Sequence, residues 1–120
     1  ENISRLSFVG KVLERSNVVC IMSAINPYNS TREHVRKIVL NSKLVYVQCD
    51  LEELKRRDPK GLYKRALLAD GNPNKIYNFT GISDLFDEPR CADLTISTNK
   101  QSQKQCISEL EKFILKEIGG

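Results

Sequence analysis

Leu44-Val45-Tyr46-Val47-Gln48-Cys49 is the stretch whose reading decides the fold. Apolar and β-branched residues fill it almost without a break, and Asp50 then opens a helix-like segment with Glu53 three residues on, the spacing of a cap. A continuous apolar run of this kind suits a strand covered on both faces, and such strands belong to parallel sheets. Upstream the pattern repeats. Ser30-Thr31-Arg32-Glu33 has capping-box spacing ahead of a helical face of Val35, Ile38 and Val39. Before it, Val18-Val19-Cys20-Ile21-Met22 reads as a second buried strand, left through the loop Ala24 to Asn29. Strand, helix, strand in succession predicts an α/β fold with a parallel sheet and right-handed crossovers.

The flanks fit around that unit. Ile3, Leu6, Val9, Val12 and Leu13 recur at helical spacing, so Glu1 to about Arg15 reads as an amphipathic helix, with Gly10 marking a point of close packing. The helix after Asp50 stops near Asp58-Pro59, because the residue before proline disfavours helix, and Lys60 to Leu68 resumes it. Asp70-Gly71-Asn72-Pro73-Asn74 is turn-rich and predicted to be exposed and mobile. Ser83 to Asp93 reads as irregular, and Leu94 to Thr98 as a short strand. Ser102 with Gln105 opens a final helix with Cys106, Leu110, Phe113 and Ile114 facing inward, ended by Gly119-Gly120.

Bulk properties narrow the classes. The 120 residues make one domain or a piece of one, and 40% hydrophobic with 28% charged residues is ordinary for a soluble protein. No apolar run is long enough to span a bilayer, and no basic-then-apolar signal pattern opens the chain. A net charge of +4 suits small anions and gives no case for nucleic acid. Four cysteines without a C-x-x-C pair, beside the single His34, argue against zinc and predict no metal site. Cys20 and Cys49, inside the apolar runs, read as buried thiols. His34 reads as a surface helix residue.

Chemistry concentrates in Arg57-Asp58-Pro59-Lys60-Gly61-Leu62-Tyr63-Lys64 and, downstream, Phe79-Thr80-Gly81-Ile82. Cations on a hinged segment suit a lid over anionic groups, and Phe79 beside an uncrowded glycine can face a planar base. The plainer alternative is a solvated basic helix followed by a turn, and the residues by themselves leave both open.

With Glu1-Asn2-Ile3 and Ile25-Asn26-Pro27-Tyr28 added in their order and spacing, the chain resembles the C-terminal two-thirds of an adenylylsulfate kinase. The combination of RDPKGLYK and FTGI is what makes the resemblance specific. It implies a three-layer P-loop kinase fold, incomplete at its N-terminal end because the central P-loop strand is absent, so that residues 1–120 form a single partial domain with a lid over about 57–82. It implies transfer of the γ-phosphate of ATP to the 3′-hydroxyl of adenylylsulfate, with Mg2+, in a cytoplasmic homodimer, and a fused or partner sulfurylase as an option. Carried across, Asn2, Ile25, Asn26, Lys60, Asn78 and Phe79 would bind adenylylsulfate, Phe79 by stacking on its adenine and Lys60 by charge. Arg57 and Gln101 would lie at the ATP side. No residue here is assigned the chemistry of transfer, since no G-x-x-x-x-G-K-[ST] occurs in the sequence.

Departures qualify the carry-over. Asn26 stands where the family usually has serine, Tyr77 and Asn78 replace a lysine and a glycine, and residues around 70–74 lengthen the lid. Because the chain opens on Glu1 without the glycine-rich loop, the resemblance predicts a segment of a longer kinase that is inactive and folds poorly alone, its strand edges unpaired. A non-catalytic adenylylsulfate-binding or regulatory remnant of the same fold is the alternative.

Overall fold

The computed structural model describes residues 2–119. Its elements in order are α1 (Asn2–Arg15), α2 (Asn29–Ile38), β1 (Val45–Gln48), α3 (Leu51–Arg57), α4 (Leu62–Ala66), β2 (Leu94–Ser97) and α5 (Gln103–Gly119). The expected start and end at Glu1 and Gly120 lie outside the described residues. The strands pair in parallel, Val45 opposite Leu94 through Gln48 opposite Ser97. The deciding stretch is therefore a strand of a parallel α/β sheet.

That sheet has two strands among the described residues, not the fuller sheet of a three-layer kinase. The shortfall falls on Val18–Met22, which forms no strand. Its side chains are exposed, Ile21 to 74%, and among the described residues no backbone hydrogen bond joins 19–25 to another main-chain group. β-Branched residues favour an extended run, but a strand exists only with a hydrogen-bonded neighbour, and none of the described residues supplies one. Cys20 is exposed with it, while Cys49 is half-buried, and all four cysteines are free thiols.

Burial is thin. Val39, Ala66 and Ile96 are the buried hydrophobics among the described residues. The radius of gyration, 16.6 Å, exceeds the roughly 13.6 Å of a compact chain this long. On α1 the buried positions are Ser7 and Gly10, whereas Leu6, Val9 and Val12 of the expected apolar face lie exposed. Ser7 satisfies its hydroxyl by donating to the Ile3 carbonyl at 2.7 Å. Gly10 is the point of close approach, where a Cβ would sit 3.5 Å from Met22 Cε and 3.8 Å from Val39 Cγ2. Those are ordinary contact distances, so Gly10→Ala gains helix propensity without a clash and is expected to stabilise the protein by roughly 0.5–1 kcal/mol. A denaturant midpoint that falls in this variant would refute the contact.

Capping chemistry differs from the sequence pattern at two of three helices. Neither Ser30–Glu33 nor Asp50–Glu53 forms a box. α2 begins at Asn29, whose N–H donates to Asp87 Oδ2 at 3.0 Å from a distant segment. Asp50 Oδ2 instead accepts from Asn99 Nδ2 at 2.6 Å, and Glu53 turns to two arginines. At α5 the box is real: Ser102 N–H donates to Gln105 Oε1 at 2.8 Å and Gln105 N–H to Ser102 Oγ at 3.2 Å. Cys106, Leu110, Phe113 and Ile114 are half-buried as expected, and His34 is exposed.

The irregular run 83–93 is held to α2 by polar contacts. Arg32, only 6% exposed, donates Nε to the Asn26 carbonyl at 2.9 Å and Nη1 to Asn29 Oδ1 at 3.0 Å and to the Asp87 carbonyl at 2.7 Å. Its guanidinium stands 5.2 Å from the Phe86 ring centroid, and Phe86 stacks at 6.2 Å on Tyr46 of β1. Asp87 N–H donates to the Pro27 carbonyl at 2.7 Å. One arginine thus joins the 26–29 loop, α2, the 86–87 segment and, through Phe86, the sheet.

Candidate functional site

The two signature stretches meet. Arg57 ends α3, and Asp58 turns the chain so that its carboxylate accepts from the N–H groups of Tyr63 and Lys64, both at 3.0 Å. Asp58 therefore closes α3 and caps α4 together. Gly61, at φ 64°, supplies the left-handed step between them that a Cβ would oppose. α4 then presents Tyr63, whose ring meets Phe79 edge to face, centroids 4.9 Å apart at 73°. Phe79 rides on a tight turn. Its carbonyl accepts from Ile82, Ser83 and Asp84 N–H at 3.0, 3.0 and 3.1 Å, and its own N–H donates to Ser83 Oγ at 2.7 Å.

Arg57 points the other way, to the C-terminal edge of the sheet. Its Nη2 donates to the Thr98 carbonyl at 2.8 Å and its Nε to Glu53 Oε1 at 2.7 Å. Thr98 in turn donates its N–H to the Gln48 carbonyl at 2.9 Å, so Arg57 ties α3 to the ends of both strands. Gln101 is bound in the same loop: Oε1 accepts from Ser97 N–H at 3.2 Å and Nε2 donates to Glu109 Oε2 at 2.7 Å. Arg57 and Gln101 thus lie beyond the carboxyl ends of the two parallel strands, an edge where α/β folds commonly seat ligands. Their polar groups, however, already brace the fold.

Lys60 is exposed and makes no hydrogen bond or ion pair among the described residues. Asn78 is exposed beside Phe79, at φ 55°. Asn2 lies at the start of α1 and Ile25 is 71% exposed. Asn26 offers its carbonyl to Arg32, while its Oδ1 is buried without a partner among the described residues. The structure thus joins the 57–64 stretch to Phe79, and Arg57 to the loop of Gln101. Among the described residues no hydrogen bond or ring contact joins Asn2, Ile25 or Asn26 to either group. Tyr63 and Ser83, which hold Phe79 in place, were given no role from the sequence, although Tyr63 lies inside the quoted stretch.

Electrostatics concentrate at the base of the lid. Hydrogen bonds from Arg56 and then Arg57 hold the Glu53 carboxyl down to about 2. The Lys64 backbone N–H, foremost among several donors, holds Asp58 below its ordinary value. A depressed carboxyl stabilises the folded form above its ordinary pKa and loses that contribution as pH falls through the folded value. Between pH 4.5, the ordinary value for Glu53, and about 2, the α3–α4 corner is therefore expected to loosen. Amide exchange of Tyr63 and Lys64 measures this, and protection that stays level down to pH 2 would contradict it.

A family model described as Adenylylsulphate kinase matches residues 1–97, from α1 through β2. The chain belongs to the adenylylsulphate kinase family. A probable adenylyl-sulfate kinase of Pseudomonas aeruginosa is 39% identical over 110 residues, covering 92% of this chain and 49% of that protein. An adenylyl-sulfate kinase of Synechococcus sp. (strain JA-3-3Ab) is 38% identical over 107 residues, 89% of this chain and 58% of its own. A probable adenylyl-sulfate kinase of Aeropyrum pernix is 34% identical over 117 residues, 94% and 61% respectively. The chain spans about half the length of the curated relatives it matches. Both signature stretches fall inside the adenylylsulphate kinase match, and Gln101 lies past its end. Asn78 takes the left-handed conformation that glycine adopts most easily, and asparagine tolerates it better than most side chains. No helix among the described residues is long and apolar enough to cross a membrane.

Proposed function

We propose that this chain supplies the acceptor side and lid of an adenylylsulfate kinase, which passes the γ-phosphate of ATP to the 3′-hydroxyl of adenylylsulfate. The observation that carries this reading is the Tyr63–Phe79 pair, which sets an aromatic ring on a tight turn against α4 of the lid. In this reading Phe79 stacks on the adenine, Asn78 and Asn26 contribute polar contacts, and Asn2 and Ile25 complete the acceptor site. Lys60 places a free ammonium over the bound anions, where fixed positive charge favours the more highly charged transition state.

Arg57 and Gln101 serve the ATP side by shaping the 98–101 loop. Magnesium belongs to the reaction as the partner of the ATP phosphates. Among the described residues no group of three or more His, Cys, Asp or Glu could hold a metal. Nor does the sequence contain the glycine-rich loop that cradles phosphates, so these 120 residues are assigned binding and closure and no transfer of their own.

Calorimetry and turnover in the intact protein test the reading together. Adenylylsulfate is expected to bind, and Lys60→Ala to lower kcat about tenfold to a hundredfold by removing one charge from the transferring group. Full turnover in that variant would move the role to Lys64 or Arg57. Adenylylsulfate binding without any phosphoryl transfer would favour the non-catalytic remnant.

A further inference from the structure

We propose that Lys75 is the latch of the lid, a positioning residue that folds 68–77 into a fixed loop and so presents Phe79, and is not itself a ligand of the bound anions. The inference rests on the reading of Phe79 as the stacking residue. Between Arg65 and Phe79 the sequence contains one cation, Lys75, and an expectation of lid chemistry would send it to the substrate. The geometry sends it inward. Its side chain is 17% exposed on a loop whose Asp70 carboxylate is 89% exposed.

The ammonium is fully engaged. It pairs with Asp70 Oδ1 at 2.7 Å, donates to the Leu68 carbonyl at 2.8 Å, and stands 5.4 Å from the Tyr77 ring centroid. That accounts for a carboxylate, a carbonyl and a π-face, which leaves little for a second anion. The rest of the loop closes around it. Tyr77 Oη accepts from Gly71 N–H at 3.3 Å, and Asn74 N–H donates to Asn72 Oδ1 at 2.9 Å. Arg65 Nε donates to the Asn74 carbonyl at 3.0 Å and Ile76 N–H to the Arg65 carbonyl at 3.3 Å, fastening the loop to the end of α4. The 70–74 turn is exposed as its composition predicts, yet it is tied at both ends. From Tyr77 the chain runs directly into the left-handed Asn78 and then Phe79, so the ring's position is set by a loop that Lys75 holds shut.

Latch and ligand predict opposite signs for one substitution. In the intact protein, Lys75→Met and Asp70→Asn are compared by calorimetry with adenylylsulfate and with ATP, alongside limited proteolysis of 70–74. If Lys75 is the latch, both variants weaken adenylylsulfate binding, by about threefold to tenfold for the loss of a partly shielded charged contact. Both also expose 70–74 to the protease while ATP affinity holds, and Lys75→Arg, which keeps the charge, recovers much of the loss. If Lys75 is an anion ligand, Asp70→Asn frees it and adenylylsulfate binds more tightly, which overturns the proposal. Unchanged proteolysis in both variants overturns it as well. Proteolytic opening in Lys75→Met with no change of affinity in either Lys75→Met or Phe79→Ala would uphold the latch and remove Phe79 from the substrate site.

Discussion

Replacing Phe79 by Ala is expected to weaken adenylylsulfate binding by roughly 1–3 kcal/mol, the range found when an aromatic stacked on a base is truncated. The loss has two parts, and both are local. The ring supplies the flat apolar face, and Tyr63 fixes its tilt by meeting it edge to face at 4.9 Å. Tyr63→Ala should therefore cause a smaller loss in the same direction, by letting the Phe79 ring turn. Phe79→Tyr should bind almost normally, because the face survives. The turn behind the ring is made by backbone hydrogen bonds to the Phe79 carbonyl and by Ser83 Oγ. It does not need the side chain, so the alanine variant keeps its fold and the comparison is clean. Calorimetry with adenylylsulfate decides it, with ATP affinity as the control. Equal affinity in the Phe79→Ala and parent proteins would dismiss the stacking role, and loss toward both nucleotides would assign Phe79 to the fold.

How far the sequence could be read depended on where each group finds its partner. β1 and β2 were legible because apolar, β-branched runs declare themselves locally, and the Ser102–Gln105 box because both partners lie within one turn. Asp58 was legible as a helix stop because proline at 59 acts on its neighbour alone. The failures involve distant partners. Ser30 and Glu33 had the spacing of a cap, but Asp87, 58 residues from Asn29, reached the helix start first. Val18–Met22 had the composition of a strand and no ladder to join among the described residues. At Lys75 nothing in the spacing announces the Leu68 carbonyl or the Tyr77 ring. In the candidate site the pattern is the same: Phe79 is legible as an aromatic beside a glycine, whereas the Tyr63 ring that meets it edge to face is not, because nothing in the spacing ties residue 63 to residue 79.

The largest expected effect on stability belongs to Arg32. Truncation to Leu removes the donors that satisfy the Asn26 and Asp87 carbonyls and Asn29 Oδ1, and replaces a side chain that also covers the Phe86 ring. Burial pulls the guanidinium below its ordinary pKa, and Asp87 opposes that shift without cancelling it, so the charge is held at a desolvation cost that its partners only partly offset. Leaving half-buried acceptors short of a donor costs more than the hydrogen bonds themselves contributed, and the expected loss is about 2–4 kcal/mol, or roughly 10 °C in Tm for a chain of this size. Arg32→Lys should fall between, because one ammonium cannot reproduce the fork that spans three acceptors. Arg36 provides the comparison on the same helix: it bonds the Cys91 carbonyl and Asp93 Oδ2, but its side chain is 39% exposed. Arg36→Leu is expected to cost no more than about 1 kcal/mol. A denaturant titration showing Arg36→Leu to be the more damaging change would reject the strut. The same bond that stabilises the fold fixes the Asn26 carbonyl, so Arg32→Lys should also raise the KM for adenylylsulfate at temperatures where the variant stays folded. That second effect separates a strut that shapes the acceptor loop from one that serves stability alone.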